Sequence, residues 1–173
     1  RRSRYRRSGV SDMIRASVSL EPFSPDAEVA RFSALRGDTC GAVVTFIGYC
    51  RGRSTRGAVT QLELEHYPGF TEGEINRLAS ATGQKHDVKD LLVIHRAGAI
   101  AAGEPIVLVA AMSAHRAAAF AAVEELMDYL KTDAPFWKRE TGPDGAHWIE
   151  PTAEDRIRRE ERKQIKSVEE RRA

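Results

Sequence analysis

Two lysines flank a proline turn in the stretch Asp128 to Glu140, which reads D-Y-L-K-T-D-A-P-F-W-K-R-E. Lys131 falls in the last turn of a predicted helix, and Lys138 falls on a predicted strand beyond Pro135. Proline cannot extend a helix, and it biases Ala134 towards extended geometry. On the strand, Phe136, Lys138 and Glu140 share one face, while Trp137, Arg139 and Thr141 share the other. Two amines converging on one cleft can stabilise a developing oxyanion and move protons. Each also has a plainer reading. A helix dipole favours a lysine in its last turn, and a strand lysine is usually solvated.

The other candidate groups are also cationic. His115 and Arg116 follow Ser113 at the start of the same helix. The first N–H groups of a helix are unpaired, and its dipole favours an anion there. Two basic side chains at that end oppose the dipole, so a purely structural role carries a small cost. Arg51 comes directly after a predicted buried strand and otherwise reads as a solvated loop arginine; cationic neighbours could lower the thiol pKa of Cys50 beside it, whose plainer reading is an ordinary free cysteine. His66 and His95 end strands and read as satisfied structural histidines. The five histidines lack metal-ligand spacing, so no metal site is expected. There is no GxGxxG, Walker loop, HExxH or GxSxG.

These groups need a scaffold to hold them. Ser17 to Leu20 reads as a first strand. Ser24-Pro25 opens a helix that turns Val29, Phe32 and Leu35 inward and ends near Gly37. Gly41 to Tyr49, GAVVTFIGY, reads as a buried strand. Cys50 to Gly57, CRGRSTRG, reads as a mobile loop able to close over an anion. Val59 to His66 alternates as a strand, with Leu62 and Leu64 on one face and Glu63 and Glu65 on the other. Thr71 with Glu74 reads as a capping box for a second helix carrying Ile75 and Leu78 inward. Leu91 to His95 and Ile106 to Met112 are apolar strands, and Gly98 to Pro105 reads as a connection. Ser113 caps the longest helix, His115 to about Lys131. Phe120, Val123, Met127 and Leu130 form its inner stripe, with Glu124, Glu125 and Asp128 away from it. Phe136 to Thr141 and His147 to Glu150 bracket a hairpin loop. This irregular mixture of helices and strands predicts an α+β fold.

The chain has 173 residues, 42% of them hydrophobic, enough for one core. Residues 17–150 form the expected domain, preceded by a disordered Arg-rich extension, 1–16, and followed by a charged tail, 151–173. Five of the first seven residues are arginine. Removing those five from the 27 Lys and Arg leaves the 25 acidic residues in the majority, so the body is not composed as a nucleic-acid binder. No apolar run is long enough to span a membrane, and no signal-peptide core precedes the body. Two cysteines outside any CxxC pair fit a reducing cytoplasm.

Several stretches in order resemble the large, catalytic subunit of molybdopterin synthase. They are G-A-V-V-T-F-I-G at Gly41 to Gly48 with Arg51 after it, L-E-H-Y-P-G at Leu64 to Gly69, and V-I-H-R-A-G at Val93 to Gly98. S-A-H-R at Ser113 to Arg116 and the two-lysine stretch complete the pattern. The resemblance runs from about Leu20 to Glu150. It implies an α/β-hammerhead fold with an additional small antiparallel β subdomain. It also implies a large-subunit homodimer with a small ubiquitin-like subunit docked at each end, a heterotetramer. The partner's thiocarboxylated Gly-Gly tail would deliver two sulfurs to cyclic pyranopterin monophosphate, making the dithiolene of molybdopterin, with no cofactor. Lys131 matches the essential catalytic lysine and Lys138 the second one. The resemblance implies substrate contacts from Tyr49, Cys50, Arg51, His115, Arg116, Lys131, Lys138, Arg139 and Glu140.

Two other classes remain from the residues alone. One is a non-catalytic module that binds nucleic acid through the arginine arm, with the salt dependence of phosphate contacts. The other is a thiol hydrolase using Cys50 with a histidine. Neither accounts for the two-lysine turn.

Overall fold

The computed structural model describes residues 13–150 together with Ala153, Ile157, Glu160 and Glu161. The arginine arm and most of the charged tail lie outside the described residues. Along the chain come β1 (Ile14–Ser19), α1 (Pro25–Ala34), β2 (Ala42–Tyr49), β3 (Arg53–Ser54), β4 (Gly57–Ala58) and β5 (Gln61–His66). Then follow α2 (Phe70–His86), β6 (Asp90–Arg96), β7 (Gly98–Ala101), β8 (Pro105–Ser113), α3 (Arg116–Thr132), β9 (Phe136–Gly142) and β10 (Gly145–Ile149). The body thus begins at β1, a few residues before the expected boundary.

A first sheet has the order β1-β6-β8-β2, parallel only between β1 and β6. Its central strands are apolar on both faces because both faces are covered. Leu91, Val93, Val109 and Ala111 pack with Ile75 and Ala79 of α2 and Ala119, Ala122 and Leu126 of α3. On the other face Leu92, Ile94, Leu108 and Ala110 pack on Phe32 of α1. A second sheet, β10-β9-β5-β7, is antiparallel throughout. Its inner residues Leu62, Leu64 and Ile100 form a smaller core with Cys50. This two-sheet α+β arrangement is the expected fold class.

Local signals were legible where they were chemical. Ser24 caps α1, its Oγ accepting from the Ala27 N–H at 3.4 Å. Leu35 proved exposed, because α1 ends one residue before it. The cap of α2 is Gly69 rather than Thr71. Gly69 has φ of 82°, and its N–H donates to the Glu72 carboxylate at 2.7 Å. Thr71 is buried within the first turn, accepting from Tyr67 N–H at 3.0 Å and donating to the Pro135 carbonyl at 3.4 Å. The Gly98–Pro105 connection contains β7, which supplies the edge of the second sheet. The expected mobile loop after Cys50 holds the β3–β4 ribbon. That ribbon leans on β9: a Cβ at Gly142 would collide with the Ala58 carbonyl, so a side chain there would push the two apart.

Helix α3 departs from its expected stripe in two places, and α2 matches it at 17 residues. Phe120 is 60% exposed and Glu125 only 8%. The reason is the position of α2, which covers the Glu125 flank. Glu125 receives Lys85 at 3.1 Å, His86 at 2.5 Å and the Tyr129 hydroxyl at 3.0 Å. Burial alone would raise its pKa, but hydrogen bonds from His86, Lys85 and Tyr129 hold it below 4.5. Glu125→Ala would leave those donors unpaired, and breaking a buried pair typically costs about 3 kcal/mol. The expected result is that loss in chemical denaturation at neutral pH. A group with a depressed folded pKa stabilises above its unfolded value and loses that contribution as pH falls through the folded one. The gap between wild type and variant should therefore narrow below pH 4.5.

Candidate active site

Three elements end at one end of the first sheet. Strand β8 starts at Pro105, which pairs with Tyr49, the last residue of β2. At the other end Ala42 pairs with Ser113, just before α3 begins. Helix α3 returns over the sheet beside β2, so its C-terminal Lys131 lies towards Tyr49, Cys50 and Arg51. The turn after it is tightly tied: Asp133 and Ala134 N–H groups donate to the Tyr129 carbonyl at 2.8 and 3.0 Å, and Thr132 Oγ1 donates to the Asp128 carbonyl at 2.8 Å.

Strand β9 then enters the second sheet with its faces sorted as expected. Lys138 pairs with Leu64 and Glu140 with Leu62, both inner-face residues. Lys138 and Glu140 therefore share the side of Cys50, and Lys138 is half-buried there. Beside it His95 is buried, its ring stacked on Phe136 at 4.0 Å and its Nδ1 within 2.8 Å of the Arg96 carbonyl. The imidazole pKa falls to about 4, first from burial and further from the charge of Lys138, against the raising effect of the Arg96 carbonyl. His95 is thus a neutral neighbour of the second lysine, a role that its place at a strand end did not announce. The elements that carry Arg51, Lys131 and Lys138 are thus directed towards one end of the molecule.

The structure does not bring all candidates together. Arg139 points to the opposite face of β9. There its guanidinium pairs with Glu63 and lies 5.5 Å over the Trp148 ring. A separate open cleft on that side, about 490 Å³, is lined by Glu65, His66, Tyr67, Trp137 and Trp148. Cys50 is buried, and burial, with Glu140 and Glu104 nearby, pushes its thiol above 9.0 against a backbone hydrogen bond from Leu62. No lowering results, because the sulfur is buried and the charges that act on it are carboxylates. A thiolate nucleophile there is unsupported. His115 occupies the N-cap position of α3 without a side-chain cap bond; Ser113 Oγ accepts from its N–H at 3.3 Å. His115 and Arg116 are exposed, but they sit at the far end from Lys131. Arg116 and Lys131 both fall within the 17 residues of α3, about 22 Å apart at ~1.5 Å per residue. A single phosphate cannot touch Arg116 and Arg51 of the same copy. Among the described residues no cluster of His, Cys, Asp or Glu could hold a metal ion.

An α+β scaffold that gathers amines and a guanidinium at one end, with no thiolate, defines an enzyme that acts on an anionic substrate through positioned cations. The family described as MoaE protein matches residues 18–133. The molybdopterin synthase catalytic subunit of Caulobacter vibrioides is 52% identical over 140 residues, 81% of this chain and 91% of that one. Among solved structures, the molybdopterin biosynthesis MoaE protein from Burkholderia ambifaria superposes with a TM-score of 0.65 at 41% identity, covering 78% of this chain and 87% of that one. Molybdopterin synthase from Staphylococcus aureus gives 0.71 at 26% identity, over 80% and 98%. This chain belongs to the MoaE family, that of the molybdopterin synthase catalytic subunits. Among the described residues no helix is long and apolar enough to cross a membrane.

Proposed function

We propose that this chain works as a dimer in which each pocket receives the thiocarboxylated C-terminal tail of a small ubiquitin-like carrier. Two sulfurs pass to cyclic pyranopterin monophosphate, giving the dithiolene of molybdopterin. What supports this most directly is that the fold directs the elements carrying Lys131 and Lys138 and the sequence-remote Arg51 to one end. In each transfer the carrier's sulfur bonds to a substrate carbon. Water then cleaves the bond between that sulfur and the tail's carbonyl carbon, leaving a carboxylate on the carrier. The carbonyl oxygen becomes an oxyanion on the way, and a lysine ammonium beside it lowers that barrier. A lysine that shuttles protons also serves the opening of the cyclic phosphate. No metal or cofactor enters this scheme, since the sulfur arrives on the carrier. The reaction fits the cytoplasm, where Cys40 and Cys50, both free thiols, stay reduced.

The substrate's phosphate needs cations of its own. A fused pterin with one cyclic phosphate is shorter than the span from Arg116 to Lys131. His115 and Arg116 of a second copy therefore supply the phosphate end of each pocket. Arg116→Ala should weaken substrate binding about 10–100-fold, the usual worth of a charge-assisted contact. Carrier binding should be unchanged. Equal substrate affinity in equilibrium titrations of wild type and variant would remove this assignment. The whole reading is tested by supplying thiocarboxylated carrier and the cyclic pterin and measuring dithiolene product. Absence of product from folded, carrier-bound enzyme would refute it.

A further inference from the structure

Strand β6 ends on two polar residues that are both buried, His95 at 3% exposure and Arg96 at 2%. Strand parity turns them to opposite faces. His95 lies beside Lys138, while Arg96 continues the row of Leu92 and Ile94. The Arg96 guanidinium brackets the connection that follows it. Nη2 donates to the Ala99 carbonyl at 3.1 Å, and Nη1 donates to the Glu104 carboxylate at 2.7 Å. The same carboxylate oxygen accepts from the Ala101 N–H at 3.2 Å. Arg96 Nε is buried without a hydrogen-bond partner among the described residues. Burying a charge is costly even when it is paired, and an orphan donor adds to that cost. Stability alone does not account for this arginine.

The bracketed turn grips the residue before Arg51. The Cys50 N–H donates to the Glu104 carbonyl at 2.9 Å, and the Gly103 N–H donates back to the Cys50 carbonyl at 2.7 Å. Gly103 has φ of 88°, a left-handed geometry that glycine adopts freely. On the other side of Arg51, the Gly52 carbonyl accepts from the N–H of buried Val59 at 2.9 Å. Arg51 is exposed between these two anchored neighbours, so bonds that its own side chain does not make fix its backbone. Backbone bonds from Ala102 to Thr60 and from Glu104 to Ala101, at 3.0 and 3.1 Å, keep the path of the turn in any variant of the pair. Losing the pair should therefore loosen the turn rather than unfold it.

We infer that Arg96 and Glu104 are positioning residues for the reaction: the pair sets the turn, the turn holds Cys50, and Cys50 sets where the Arg51 side chain starts. The inference rests on the proposed pocket, in which Arg51 is a substrate contact. Neither member of the pair needs to touch substrate. A displacement of about 1 Å in a positioning group can cost ~10²-fold, and a guanidinium on a loosened backbone must be ordered when substrate binds.

A double-mutant cycle on substrate affinity reads the link. Arg51→Ala should weaken binding of the cyclic pterin about 10–100-fold. Glu104, whose side chain is 39% exposed, can be truncated without opening the core. Glu104→Ala should lose much of the same affinity in the wild-type background, yet less than about twofold more when Arg51 is already alanine. Arg96→Met should behave like Glu104→Ala. Glu104→Gln keeps an oxygen able to accept both bonds, so it should bind nearly as wild type. Amide exchange at Cys50 and Gly103 should quicken in Glu104→Ala, while the core amides of Leu91 and Val109 keep their protection. No loss in Glu104→Ala, losses that add fully with Arg51→Ala, or unchanged exchange at Cys50 and Gly103 each overturn the inference. So does a loss in Glu104→Gln equal to that in Glu104→Ala, which would assign the role to the charge of Glu104. Unchanged affinity in Arg51→Ala alone removes the Arg51 contact and the inference with it, and that failure shows in the single variant.

Discussion

Lys131→Arg and Lys131→Ala should both fold, bind the carrier and lose most sulfur transfer. Lys131 is exposed at the end of α3, after the packed residues Leu126 and Leu130, so the core does not need an amine there. A helix C-terminus accepts arginine as readily as lysine. Catalysis is less tolerant, because an ammonium is a compact donor that can release its proton and a guanidinium is not. A positioned acid–base group is worth ~10²–10⁴-fold, and single-turnover product formation with preloaded carrier should show a deficit of that order. Near-normal turnover by Lys131→Arg would show that only positive charge matters. Lys138→Ala should be impaired on a similar scale. Its sequence neighbour Arg139 cannot substitute, since it is committed to Glu63 on the other face of β9.

Acidification should expose the neutral histidine beside Lys138. The folded pKa of His95 lies at about 4 against an ordinary 6.5. Below 6.5 the unfolded chain takes up a proton that the folded one refuses, so stability falls with pH until the folded site is itself protonated. At ~1.4 kcal/mol per pKa unit, this single site should remove about 3 kcal/mol between those two values. The charged or titratable groups near the ring are Lys138 on β9 and Arg96 beside it on β6. His95→Gln should be less stable at neutral pH, having lost the Phe136 stack, but its stability should vary much less across the same interval. Parallel wild-type and variant curves in urea titrations at stepped pH would show that another group dominates acid unfolding.

Much of the site was written in residue types. Ser24-Pro25 announces α1 because a hydroxyl cap and a fixed φ are local chemistry. The alternation of β9 placed Lys138 and Glu140 together and Arg139 opposite before any contact was known, because strand parity depends only on the chain. Those are properties of a few neighbouring residues. What covers a strand or helix face depends on elements remote in sequence, and there the tertiary structure decided. GAVVTFIGY has the composition of a buried strand, yet among the described residues only β8 pairs with it, which leaves it at a sheet edge. Glu125 sits on the polar side of α3 by periodicity and is buried all the same, because α2 lies there with Lys85 and His86. The sequence offers His115 and Arg116 at a helix start and Arg51 in a loop alike as cations for an anion. The length of α3 separates them within one copy, since a rigid helix fixes the distance between its ends.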